Sequence, residues 1–204
     1  MARSPERFAG ASSLGGQFGV FGMKLHEQND INTTHFSPDF KARKSVFVFG
    51  KRLICLGTGI RTSQSVYPVE TTLFQQAIVS SADRLAVNGT YAGADGFAYE
   101  GKSEGITMLT DMVGNQFRIA NNLHLRVQAK EQQSRHNKTK ALTSGNFLTA
   151  GILHGTAPGN QSYEYMIMLK PSPVETNRWK TAPAYQVVRA DSVAHAVYDS
   201  VSGV

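Results

Sequence analysis

Two apolar runs, "KSVFVFG" (44–50) and "RLICLGTGI" (52–60), are separated only at Gly50-Lys51. A connection that short can join strands only as an antiparallel hairpin, because a parallel connection needs a crossover of a dozen or more residues. The same pattern continues along the chain, with short β-prone runs punctuated by Gly, Asn, Asp, Ser and Pro. The runs are "QFGVFGMKL" (17–25), "YPVETTLFQQ" (67–76), "NQFRIA" (115–120), "LHLRVQAKE" (123–131), "NFLTAGILHG" (146–155), "YEYMIMLK" (163–170), "AYQVVRA" (184–190) and "SVAHAVYD" (192–199). Ala120–Asn122 and Ala190-Asp191 look like further tight turns. The predicted fold is all-β, an antiparallel β-sandwich of many strands.

Period-two alternation assigns the faces. In "LHLRVQAK", Leu123, Leu125, Val127 and Ala129 point one way, and His124, Arg126, Gln128 and Lys130 the other. "KSVFVFG" is apolar on both sides, which predicts a strand covered on both faces by stacked sheets. One helix is expected, over 172–180, where Ser172, Pro173 and Glu175 form a start signal. The polar stretch 131–145 reads as a long loop or the exposed end of a hairpin. The glycine-rich "AGASSLGGQFG" (9–19) lacks the strand–loop–helix setting of a nucleotide site and reads as a turn.

At 41% hydrophobic and 18% charged, the 204 residues suffice for a packed core. The single Cys55 excludes an intrachain disulfide and any multi-cysteine metal site, and its apolar neighbours predict a buried thiol. No apolar run reaches membrane-spanning length, so no membrane partner is expected. "MARSPERFAG" lacks the apolar middle of a secretion signal. The end, "VAHAVYDSVSGV", reads as a strand entering a turn with no strand to receive it, which predicts a piece of a longer protein.

The formal net charge of +6 favours an anionic partner. Few aromatics are interleaved with the cations, which argues against single-stranded nucleic acid. There is no GxxxxGK[ST] loop and no HExxH, and His26, His35, His124, His136, His154 and His195 are scattered, so neither a metal nor a cofactor is expected. Sequons begin at Asn32, Asn88, Asn137 and Asn160. In "FKARKS" (40–45), Lys41 and Arg43 share a strand face. They are either a solvated strand entry or a contact for an anionic chain. "GVFGMKLHEQND" (19–30) sets Lys24, His26 and Glu27 at a strand end. Alternation puts Lys24 and His26 on one face and Glu27 on the other. They form either a solvated end or one wall of a site.

The stretch "FKARKSVFVFGKRLICLGTGIRTSQSVYPVETTLFQQ" resembles the central β domain of polysaccharide lyase family 8, the family of hyaluronate and chondroitin lyases. Its "KSVFVF" strand (44–49), "LICLGTGI" (53–60) and "VETTLFQ" (69–75) match the family's pattern, and "ERFAGASSLGGQFGVFGMKLHE" looks like the start of that domain. "YEYMIMLKPSP" and "YQVVRADSVAHAVYD" resemble its later part, and "KLHE" leans toward the broad-specificity chondroitin sulfate ABC lyases. The resemblance implies a large stacked-sheet supersandwich over 1–204, truncated at both ends. It also implies a secreted or periplasmic bacterial parent that cleaves chondroitin sulfate, dermatan sulfate or hyaluronan by β-elimination at a uronic acid. The family's proton-moving residues come from a helical α/α toroid, which these residues do not include. The chain alone is therefore expected to be inactive. By the same resemblance Glu27 supports catalysis; His26, Lys24 and Arg43 are the candidate substrate contacts, against a solvated strand end. The competing expectation is a non-catalytic β-sandwich module that binds acidic polysaccharide.

Overall fold

The computed structural model describes residues 6–27, 39–80, 82–93, 97–103, 107–120 and 122–204. Asn32 and His35 lie outside them. Along the chain run β1 (Ala9–Leu14), β2 (Phe18–His26), β3 (Lys41–Phe49), β4 (Arg52–Arg61) and β5 (Pro68–Ala77). Then come β6 (Arg84–Val87), β7 (Thr90–Gly93), β8 (Ala98–Lys102), β9 (Thr107–Thr110) and β10 (Gln116–Ile119). The last elements are β11 (His124–Arg135), β12 (Leu142–Thr156), β13 (Gln161–Met168), α1 (Pro173–Thr181), β14 (Tyr185–Ala190) and β15 (His195–Asp199). The fold is an all-β antiparallel sandwich with one short helix. It divides into two compact units, residues 1–69 with 154–204, and residues 70–153.

In the first unit the hairpin at Gly50-Lys51 forms as the spacing requires, with Gly50 at φ 58°, and Phe49 pairs with Arg52. The sheet order is β1-β2-β3-β4-β13. Ile54, Leu56, Met166 and Met168, which share one face, are fully buried. The β14–β15 hairpin is tied to this sheet by side-chain hydrogen bonds. Tyr185 Oη donates to Glu164, and Arg52 forms a two-pronged ion pair with the buried Asp199. The helix starts on a complete capping box: Ser172 Oγ accepts from Glu175 N, and the Glu175 carboxylate accepts from Ser172 N at 2.7 Å. Such a cap is worth about 1 kcal/mol.

In the second unit, β10-β9-β6-β7 and β5-β12-β11-β8 enclose Leu85, Leu109, Leu125, Val127, Leu148 and Ile152. Phe74 and Phe117 meet at 5.2 Å between ring centroids. The alternation of β11 holds, with Leu125, Val127 and Ala129 buried and His124 and Lys130 exposed. The stretch 131–145 is a hairpin end, because β11 and β12 stay paired out to Arg135↔Leu142.

Three expectations are corrected. Within 9–19, Ala9–Leu14 is a strand paired with β2, and only Gly15 and Gly16, both at positive φ, make the turn. Ala120–Asn122 does not close a hairpin: β10 pairs with β9, whereas β11 pairs with β12 and β8. The connection therefore changes sheets. The strand 41–49 is only half-buried through Arg43–Val48, so its cover is incomplete. On the Phe47 face the cover gives way to a groove.

Candidate functional site

The antiparallel pairing of β2, β3 and β4 decides which charges meet. Lys24 lies opposite Arg43, and His26 opposite Lys41. From the hairpin, uninterrupted pairing would set Lys41 against Ile60. Arg43 keeps that register and faces Thr58, but a bulge between Lys41 and Arg43 then slips it by one, so Lys41 faces Arg61. Gly59, at φ +62°, sits in that bulge, and a Cβ there would stand 2.7 Å from Arg43 Nη1. Glycine therefore satisfies the left-handed backbone and also clears the seat of the Arg43 guanidinium.

Lys24, His26, Lys41, Arg43 and Arg61 all line one cavity of about 210 Å³. Among the described residues none of Lys24, Lys41, Arg43 and Arg61 has an ion-pair partner. Arg43 Nε is buried without a hydrogen bond. Leaving a charged donor unsatisfied costs more than leaving a neutral one, so the cavity is electrostatically suited to an anion. Glu6 also lines the cavity, and its Oε1 accepts from the backbone N–H of Arg7 and Phe8. Asp39 lies nearby, but hydrogen bonds from Ser63 and Thr62 occupy its carboxylate and hold its pKa at about 2.

Of the residues singled out from the sequence, Lys24, His26 and Arg43 converge here, joined by Lys41. Glu27 does not. It follows the last residue of β2, its N–H donates to Phe40 O at 2.9 Å, and its Oε2 accepts from Phe40 N at 3.3 Å. Arg61 was not anticipated, because the bulge that brings it opposite Lys41 leaves no mark in the alternation pattern.

A second residue missed by sequence reasoning is His195. Its Nδ1 lies 2.8 Å from Ser45 Oγ and its Nε2 2.8 Å from Thr58 Oγ1, so the ring is held at both nitrogens. Burial, and then the Arg43 charge, lower its pKa, favouring a neutral ring that donates on one side and accepts on the other. The opposite face of the sheet holds the buried Cys55, Tyr163, Tyr165 and His154, with the half-buried Lys44 close enough to act on Cys55 and His154. Burial raises the Cys55 thiol to about 11 and lowers His154 to about 4, with the Lys44 charge adding to the His154 effect. Such a thiol is inert at neutral pH. No group of three or more His, Cys, Asp or Glu is placed to hold a metal ion among the described residues.

Residues 1–179 match the super-sandwich domain of polysaccharide lyase family 8. The chain is 34% identical over 209 residues to a chondroitin sulfate ABC endolyase of Proteus vulgaris, covering 100% of this chain and 20% of that protein. It is 33% identical over 196 residues to a chondroitin sulfate ABC exolyase of Bacteroides thetaiotaomicron, covering 96% of this chain and 18% of that protein. It therefore spans about a fifth of the length of these relatives. A chondroitinase AC lyase, solved in oligosaccharide complexes, superposes with a TM-score of 0.77 at 23% identity, over 96% of this chain and 27% of that one. A Paenibacillus xanthan lyase does so at 0.75 and 24%, over 96% and 19%. At these identities the likeness is one of fold.

Proposed function

The chain belongs to polysaccharide lyase family 8, and on that premise we propose that it forms the β-domain wall of a cleft in a glycosaminoglycan lyase. The substrate class is chondroitin or dermatan sulfate or hyaluronan. The observation that carries this reading is the cavity of cations, Lys24, Lys41, Arg43 and Arg61, that have no ion-pair partner among the described residues, with His26 beside them. A polyanion carries at regular intervals carboxylates and sulfates able to pair with these cations. Arg43 is suited to a two-pronged contact, and the lysines act as point charges.

The reaction is β-elimination. The C5–H bond of the uronic acid breaks, its electron pair forms the C4=C5 double bond, and the C4–O4 bond breaks as O4 takes a proton. The proton-moving residues belong to a helical toroid of the parent protein, outside these residues, and the parent is secreted or periplasmic. Glu27 supports them from this wall. Its Oε1 has no partner among the described residues and is able to accept a charge-assisted hydrogen bond from a toroid Arg or Tyr.

The test is paired. The isolated chain binds chondroitin sulfate measurably, Arg43→Gln weakens that binding about tenfold, or about 1.4 kcal/mol, and neither protein produces unsaturated-uronide absorbance. Robust turnover by the isolated chain overturns the assignment of the chemistry to another domain. Absence of binding overturns the wall.

A further inference from the structure

Arg43 and Lys24 line more than the cation cavity. They also close one end of a groove of about 550 Å³ between the β1–β3 edge of the sheet and the tip of the β14–β15 hairpin. That volume lies within the range of about 300–1,000 Å³ typical of small-ligand sites. Its floor is the paired glycines Gly10 and Gly22, flanked by Val20 and Phe47. Phe8 stands over it, 57% exposed, with Lys24 Nζ 5.8 Å from its ring.

The far wall is built in advance. His195 is pinned by Ser45 and Thr58. The loop before it is folded around Asp191, whose Oδ1 accepts from Val193 N and Ala194 N while Oδ2 accepts from Arg189 Nε. These bonds hold Asp191 at a pKa of about 2. They also engage both oxygens of Asp191, the one carboxylate among the described residues that line the groove.

We propose that this groove is a saccharide subsite for a single anionic sugar residue of an acidic polysaccharide. The carboxylate or sulfate lies on Arg43 and Lys24. The apolar C–H face of the ring lies on Phe47 and Val20, and Phe8 closes over it. Gly10 leaves open space beside it for a pyranose ring, and Gly22 lies under the Phe8 ring. Arg43, which borders both cavities, links the subsite to the cation cavity, so neighbouring anionic groups on one chain occupy both. The proposal rests on the reading of this face as a polysaccharide-binding wall, and it adds a specific place, a ring contact and a fixed loop to it.

Gly10 offers a clean test. Its backbone lies outside the left-handed region and a Cβ there meets nothing within 4 Å, so a side chain grows into the groove without strain. With a chondroitin 6-sulfate tetrasaccharide as probe, measured by calorimetry, Gly10→Leu is expected to weaken binding tenfold or more with an unchanged melting temperature. Val193→Asp, at a rim residue 77% exposed, is expected to weaken it severalfold through repulsion. In the wild-type chain, amide NMR signals of Val193, Ala194 and His195 shift on titration. Should Lys41→Gln weaken binding while Gly10→Leu and Val193→Asp bind as wild type and the loop signals stay fixed, the subsite is refuted and the wall stands. No binding by the wild-type chain refutes both. Equal loop shifts with inorganic sulfate alone refute the ring contact.

Discussion

On the solvent side of β11, Arg126 lies between Glu70 at 3.8 Å and Glu100 at 2.9 Å, and His124 stands 3.5 Å from the same Glu100. At the ends of β2, β3 and β4, Lys24, Lys41, Arg43 and Arg61 have no such carboxylates among the described residues. Both surfaces are strand faces studded with charge. The first is satisfied internally and needs nothing from outside. The second concentrates around a cavity positive charge that is unpaired among the described residues, at a cost in self-repulsion that a bound anion would relieve. Arg52 makes a third case. It lies on the same sheet face as Arg43, but Asp199 claims it completely. A charged residue type therefore says little about its role until its partners are known.

The largest expected effect is at Asp199. Asp199→Ala leaves Arg52 without its partner in a buried setting, which costs about 3–5 kcal/mol. Urea denaturation reads this as a lower midpoint. A loss below about 1 kcal/mol would place Arg52 with the solvated pairs of the second unit.

Acid separates the two units next. The first unit buries His154, whereas His124 and His136 in the second are exposed. The folded pKa of His154, about 4, lies below the ordinary 6.5. As pH falls past 6.5 the unfolded chain takes up this proton and the folded chain does not. Stability is thus complete above pH 6.5 and is lost as pH falls toward 4. Between pH 7 and pH 4.5 the loss from this group is about 2–3 kcal/mol. His154→Gln removes that part of the pH dependence, and an unchanged profile would contradict the buried placement.

The smallest effect is expected at Glu70. Glu70→Gln weakens a half-exposed contact with Arg126 that Glu100 still satisfies, so stability changes by about 0–1 kcal/mol. Gly151→Ala, whose Cβ would run into the Glu70 carboxylate, is also mild, because that side chain is able to swing away. Gly57→Ala meets the buried Tyr163 ring instead and is expected to cost more, about 1–3 kcal/mol. A reversal of that order in thermal melts would show that the second unit's charged face is the more rigid one.

Local rules made much of this legible. The Gly50-Lys51 spacing declares its hairpin, the Ser172–Glu175 box declares the helix, and period two sorts the faces of β11. Strand β1 escaped because every residue of "AGASSL" is exposed, and a strand with no buried face has no alternation to read. Strands β6–β9 are four or five residues each, too short for a pattern to rise above the turns around them. At the site, Lys24, His26, Lys41 and Arg43 were visible as charges on neighbouring strand ends. Arg61 depended on a bulge, and His195 on a contact spanning 150 positions of sequence. Both follow from tertiary register, which no local window contains.

The unpaired cations are tested most directly by the salt dependence of chondroitin sulfate binding, measured for the wild type, Lys41→Gln, Arg61→Gln and Arg126→Gln. Displaced counterions set the slope of log affinity against log salt. The slope is predicted to shrink with Lys41→Gln and again with Arg61→Gln, and to stay at the wild-type value in Arg126→Gln. A slope indifferent to Lys41 and Arg61, or one that falls with Arg126, would contradict the account.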